Sequence, residues 1–126
     1  MHSERLLDHF QNPRNAGELL PPAVKVDVTN PACGDMLRLT ALIENGFVKE
    51  ARFLTRGCTA SIAASSALTE LLTGKSVSEA LGINAALIEG AVGGLEPASK
   101  HAAVLCADAV RALVRQFEQS QQHQHQ

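Results

Sequence analysis

Three passes of period-two alternation precede the first long helical period in this chain, and that order limits the fold more than any other feature. "AVKVDVTN" puts Val24, Val26 and Val28 on one face, and "MLRLTALIENG" alternates in the same way. "FVKEARFLTRG" returns after Asn45-Gly46, a dipeptide in which both residues tolerate positive φ. Three antiparallel strands follow. From Cys58 the spacing becomes helical: Ile62, Ala63, Leu68, Leu71 and Leu72 form a stripe that stops at Gly74, beside Lys75. The pattern predicts a small sheet with a helix covering one face.

The flanking segments supply further helices. Leu6, Leu7 and Phe10 lie at helical spacing, and that helix should end at Asn12-Pro13, because the residue before proline is pushed out of the α region. "NPRNAGELLPP", residues 12 to 22, reads as a connecting loop. Ser76 can cap a short helix with Glu79 at the reciprocal position, and "INAALIEGAVGG" supplies another that Gly93 and Gly94 break. Pro97 is placed to begin a last helix running to about Phe117. The end, "EQSQQHQHQ", has no apolar period, so the expected organisation is one domain over residues 1–118 and a disordered Gln/His-rich tail over 119–126. His123 and His125 are read there as solvated residues rather than metal ligands.

Composition narrows the class. A chain of 126 residues, 45% hydrophobic, suits a single modest core, built from Leu, Val, Ala and Ile because Trp and Tyr are absent. Eleven basic against 13 acidic residues give no dense cationic face, which excludes nucleic acid as an expected partner. No apolar run approaches the roughly 20 residues that cross a bilayer, and "MHSERLLDHF" has no hydrophobic signal core, so no membrane role and a cytoplasmic location are expected. Three cysteines, an odd number, argue against a disulfide framework and leave thiolate chemistry, metal ligation or plain burial.

Chemistry concentrates at segment ends. In "NPACGDML", Gly34 frees the backbone of a turn between two strands, so Cys33 and Asp35 can converge. A thiolate and a carboxylate side by side repel unless a cation holds them. Cys58 follows Gly57 at the N-terminus of the long helix, where free N–H groups favour negative charge, and His101 falls near the start of the last helix. Cys33, Asp35, Cys58 and His101 together are donors of the kind zinc or ferrous iron accepts. Each also has a structural reading: buried thiol, turn aspartate bonded to its own backbone, polar surface histidine. No CxxC or HxxxH spacing joins them locally.

The stretches "HFQNPRNAG", "NPACGDMLRL", "ARFLTRGCTASIAASSALTELLTGKS" and "KHAAVLCADAVRAL" closely resemble the IscU/NifU N-terminal family of iron–sulfur cluster assembly scaffolds, from about residue 3 to about residue 118. The resemblance implies an α+β fold of the SufE/NifU-like kind: a three-stranded antiparallel sheet packed with helices, and a long C-terminal helix. It implies a scaffold, not an enzyme, that receives sulfur from a cysteine desulfurase, builds a transient [2Fe–2S] cluster and passes it to acceptor apoproteins. Cys33 and Cys58 match the family's first two ligand cysteines, Asp35 its ligand aspartate, and His101 the histidine before its third cysteine.

The third cysteine is where the match breaks. Its place is Ala102, and the nearest thiol, Cys106, lies one helical turn on, about 6 Å along the axis and only about 40° around it. Cys106 shares a stripe with Ala103, Val110, Leu113 and Phe117 and so reads as core packing, although a helix shifted by one turn would make it a ligand. Without a thiol at 102, sulfur would land on Cys33 or Cys58 or arrive as sulfide. The family stretch "LPPVK", read by a dedicated Hsp70-type chaperone, is "LEPASK" here, which counts against that partner. The aromatic residue some members carry near the N-terminus is also absent.

The leading expectation is a divergent scaffold or carrier, monomeric or weakly dimeric, binding iron or zinc and a labile cluster through Cys33, Asp35, Cys58 and His101. Its alternative is a zinc-stabilised regulatory module of the sulfur-mobilisation machinery. A zinc-dependent sulfurtransferase of the SufU kind ranks last, because that activity relies on the cysteine missing at 102.

Overall fold

The structure, a computed structural model, describes residues 2–32 and 34–124, with side chains to residue 121. Cys33 and His125 lie outside the described residues, as does the side chain of His123. The elements run α1 (Glu4–Gln11), β1 (Val24–Thr29), β2 (Met36–Glu44), β3 (Phe47–Arg56), α2 (Thr59–Leu72), α3 (Val77–Ala80), α4 (Ala85–Ala91) and α5 (His101–Gln124). The three strands form one antiparallel sheet in the order β1-β2-β3. This is the α+β architecture the alternation predicts, with the hairpin turned at Asn45 (φ 54°) and Gly46 (φ 80°).

Register fixes where the chemistry sits. Val24 faces Ala41 and Thr29 faces Met36 across the first pair, and Met36 faces Arg56 across the second. The turn after β1, the end of β3 and the start of α2 therefore meet at one end of the sheet. At the other face of the strands, Leu37, Leu39, Ala41, Val48, Ala51 and Phe53 are buried beneath α2 and α5. Burying each large apolar side chain there contributes about 1.5–3 kcal/mol, which holds both helices, and the residues at their N-termini, against the sheet.

Two helices differ from the stripes that sequence predicts. α1 buries Leu6 and His9, while Leu7 and Phe10 stay about two-fifths exposed. His9 takes the inward position because its Nδ1 lies 2.8 Å from Ser66 Oγ, which also accepts the Arg14 N–H at 2.8 Å, so the buried ring is satisfied. α2 is buried almost all round, including Ser61, Ser65, Ser66 and Thr69, whereas Ile62 and Leu71 are only half-buried. It packs against β3, α1, α4 and α5 at once, and its small side chains permit that close approach.

Ser76 and Glu79 form the reciprocal capping box at α3, as the spacing predicts. Pro97 opens a 3₁₀ turn over Pro97–Ser99, and the α-helix itself begins at His101. That helix runs on past Phe117 to Gln124, through residues 119–124 of the stretch read above as a disordered tail. Gln is a good helix former, and neither Gly nor Pro interrupts the run.

Candidate metal centre

The β1–β2 turn carries Asp35. Gly34, at φ 76°, donates its N–H to the Asn30 carbonyl at 2.7 Å, and the Asn30 N–H donates to the Asp35 carbonyl at 2.8 Å. The turn delivers the Asp35 side chain inward, where it is 7% exposed and lies against Gly57. A Cβ at position 57 would stand 2.8 Å from the Asp35 carboxyl carbon, so only glycine admits this carboxylate. One residue later, Cys58 is the N-cap of α2, but its side chain makes no capping hydrogen bond and remains available. His101, the first residue of α5, reaches the same spot.

These three side chains converge. His101 Nε2 lies 3.3 Å from Asp35 Oδ2, Cys58 Sγ lies 3.7 Å from the same oxygen, and Cys58 Sγ and His101 Nε2 are 3.8 Å apart. Among the described residues they are the one group of His, Cys, Asp and Glu side chains with ligand atoms close enough to share an ion. Around a tetrahedral ion with bonds of about 2.3 Å to sulfur and about 2.0–2.1 Å to nitrogen or oxygen, neighbouring donors stand about 3.3–3.6 Å apart. The observed separations are close to the edges of that tetrahedron, so the N/O/S donor set fits zinc or ferrous iron in both chemistry and spacing.

Burial alone would raise the Asp35 pKa, but donors from Ser61, His101 and Cys58 outweigh it and hold the carboxyl below its ordinary 3.8. The carboxylate is thus already anionic and oriented at neutral pH. Ser61 is the residue sequence reasoning missed: its hydroxyl donates to Asp35 Oδ2, and its Oγ lies 3.3 Å from Cys58 Sγ. The available signal was its position three residues after Cys58, one turn along the same face of α2.

Cys106 stands apart. It is fully buried, its thiol 4.0 Å from Ser65 Oγ, and burial pushes its pKa up to about 12. A neutral, enclosed thiol is core packing, as the α5 stripe predicts. Ala102 is also fully buried.

A three-stranded sheet under a long helix, with Asp, Cys and His brought together from three segment ends, defines an α+β domain with a candidate metal centre, and comparison with known proteins gives it a family. The profile of the NifU-like N-terminal domain matches residues 1–124, and the chain belongs to that family. The iron-sulfur cluster assembly scaffold protein IscU 1 of Archaeoglobus fulgidus is 39% identical over 121 residues, spanning 95% of this chain and 79% of the relative. That of Haemophilus influenzae is 37% identical over 124 residues, spanning 95% and 98%. Among solved structures, a putative iron-sulfur cluster assembly scaffold protein for the SUF system from Fervidobacterium islandicum shares the fold, with a TM-score of 0.75 at 19% identity over 90% of this chain and 96% of its own. No helix among the described residues is long and apolar enough to cross a membrane.

Proposed function

We propose that this protein is an iron–sulfur assembly scaffold or carrier that holds iron and a labile [2Fe–2S] cluster as cargo through Cys33, Asp35, Cys58 and His101, then releases it to acceptor apoproteins. The observation that carries this reading is the convergence of the Asp35, Cys58 and His101 ligand atoms within 4.8 Å of one another. Cys33 enters from sequence alone, two residues before Asp35. The scaffold names of relatives that align along nearly the whole chain support the same assignment.

The residues divide the work. Cys58 offers an exposed sulfur, suited to bind iron and to take sulfur from a desulfurase, which must reach it from outside. Asp35 supplies a hard oxygen whose bond to iron exchanges more readily than a thiolate bond, so the cargo can leave. His101 supplies nitrogen when its Nε2 is free of its proton, a condition shared by every imidazole ligand. With Ala102 in place of a third thiol, persulfide would form on Cys58 or Cys33.

A second reading has its own support: the three described donors form one face of a single tetrahedron, which suits a mononuclear zinc ion in a module without cluster synthesis. Anaerobic reconstitution with ferrous iron and sulfide separates the two. The scaffold reading predicts a visible charge-transfer chromophore, labile sulfide matching the iron, and transfer to an apo-ferredoxin. Stoichiometric zinc that iron and sulfide cannot displace would overturn it in favour of the zinc module.

A further inference from the structure

Asp35 Oδ2 accepts from three donors: the Ser61 hydroxyl, the His101 ring nitrogen at 3.3 Å and the Cys58 thiol at 3.7 Å. Two of these must change when metal binds, because a ligating histidine nitrogen and a ligating thiolate both give up the proton that pointed at the carboxylate. Ser61 alone keeps its proton. Ser61 is 1% exposed, it does not cap α2, and among the described residues it remains the one side-chain donor to Asp35 that is not itself a candidate ligand. Its own turn is anchored in turn: Ser65 Oγ donates to the Ser61 carbonyl at 2.7 Å, and Thr55 Oγ1 on β3 donates to Ser65 Oγ at 2.8 Å.

We infer that Ser61 is a positioning residue for the metal centre, acting through Asp35: its hydroxyl fixes which carboxylate lone pair faces the ion. The inference rests on the proposed metal-binding role of Asp35, Cys58 and His101. With one lone pair of Oδ2 engaged by Ser61, the second is left for metal, and Asp35 is held to a single orientation. Without the hydroxyl the carboxylate is free to rotate away or to chelate through both oxygens, and the donor geometry is lost. Outer-shell partners of this kind are worth about 10–100-fold in metal affinity.

The test is a titration of the purified protein with Co²⁺, followed by its visible ligand-field bands, on wild type, Ser61→Ala, Asp35→Ala and the double variant, with Ser61→Thr as the hydroxyl-retaining control. The expected result is a 10–100-fold loss of Co²⁺ affinity and shifted bands in Ser61→Ala, restored by Ser61→Thr, and less than a twofold further effect of Ser61→Ala in the Asp35→Ala background. Equal losses in both backgrounds, or no loss in Ser61→Ala, would overturn the inference. If wild type binds no Co²⁺ at all, the metal-site reading itself fails; if wild type binds and Ser61→Ala binds equally, only the role of Ser61 fails. Should Ser61→Ala not fold while the double variant does, the coupling is read in stability and supports the inference. Failure of both to fold makes Ser61 a structural residue and overturns it.

Discussion

Cys58 and Cys106 lie on helices that pack against each other, yet they occupy opposite chemical worlds. Cys58 stands exposed at the first turn of α2, its sulfur among a carboxylate, an imidazole and a hydroxyl. Cys106 is sealed in the interior of α5 with one serine oxygen at 4.0 Å. The difference teaches where this fold places reactivity. Segment ends leave side chains unclaimed by packing and bring them together at one end of the sheet, while the helix interiors convert even a thiol into filler.

The sharpest way to break that contrast is thiol labelling. At pH 8 the Cys106 thiol, pushed up to about 12 by burial, stays protonated and enclosed. Cys58 should react with an alkylating reagent in the native protein, and Cys106 only after denaturation, as peptide mass mapping would read. Native labelling of Cys106 at a comparable rate would place it outside the core.

Stability and metal binding should separate in the same way. Leu68→Ala, in the fully buried part of α2, is expected to cost about 2–5 kcal/mol in urea unfolding while leaving the metal content of each folded molecule unchanged. Gly57→Ala should do the reverse. Its new Cβ would meet the Asp35 carboxyl carbon at 2.8 Å and displace the carboxylate, so zinc affinity measured by competition with a chelator should fall about 10-fold or more. An unchanged affinity would mean that Asp35 is not a ligand.

The smallest effect concerns pH, away from the centre. Burial, with the Arg14 charge beside it, holds the His9 pKa below its ordinary 6.5, against the opposing pull of Glu70 and Asp8. The unfolded chain therefore takes up that proton first. The associated stability is fully present above pH 6.5 and is lost as pH falls through the lower folded value. Urea midpoints recorded from pH 8 to 5 should decline only below about pH 6.5, and His9→Gln should flatten that decline; an equal slope in the variant would assign it to other groups.

Sequence and structure agree where the signal is local. Alternation at Val24, Val26 and Val28, the Asn45-Gly46 turn and the Ser76/Glu79 box are decided within a few residues, and each forms as read. Asp35 and His101 could be nominated one by one from their positions at segment ends, but their meeting depends on contacts 66 residues apart. The Ser61–Asp35 bond spans 26 residues and joins an ordinary helical serine to a turn, which no periodicity reports. For the same reason α1 presents His9 inward rather than Phe10: the choice is made by Ser66 on a different helix.

The most direct test of the account is anaerobic loading with ferrous iron and sulfide of wild type, Cys58→Ala and Cys106→Ala in parallel, read by visible absorption and by iron and sulfide content. The account predicts full loading of wild type and Cys106→Ala and loss of the chromophore in Cys58→Ala. Loss in Cys106→Ala with retention in Cys58→Ala would contradict it and make the buried helix interior, not the segment ends, the seat of the chemistry.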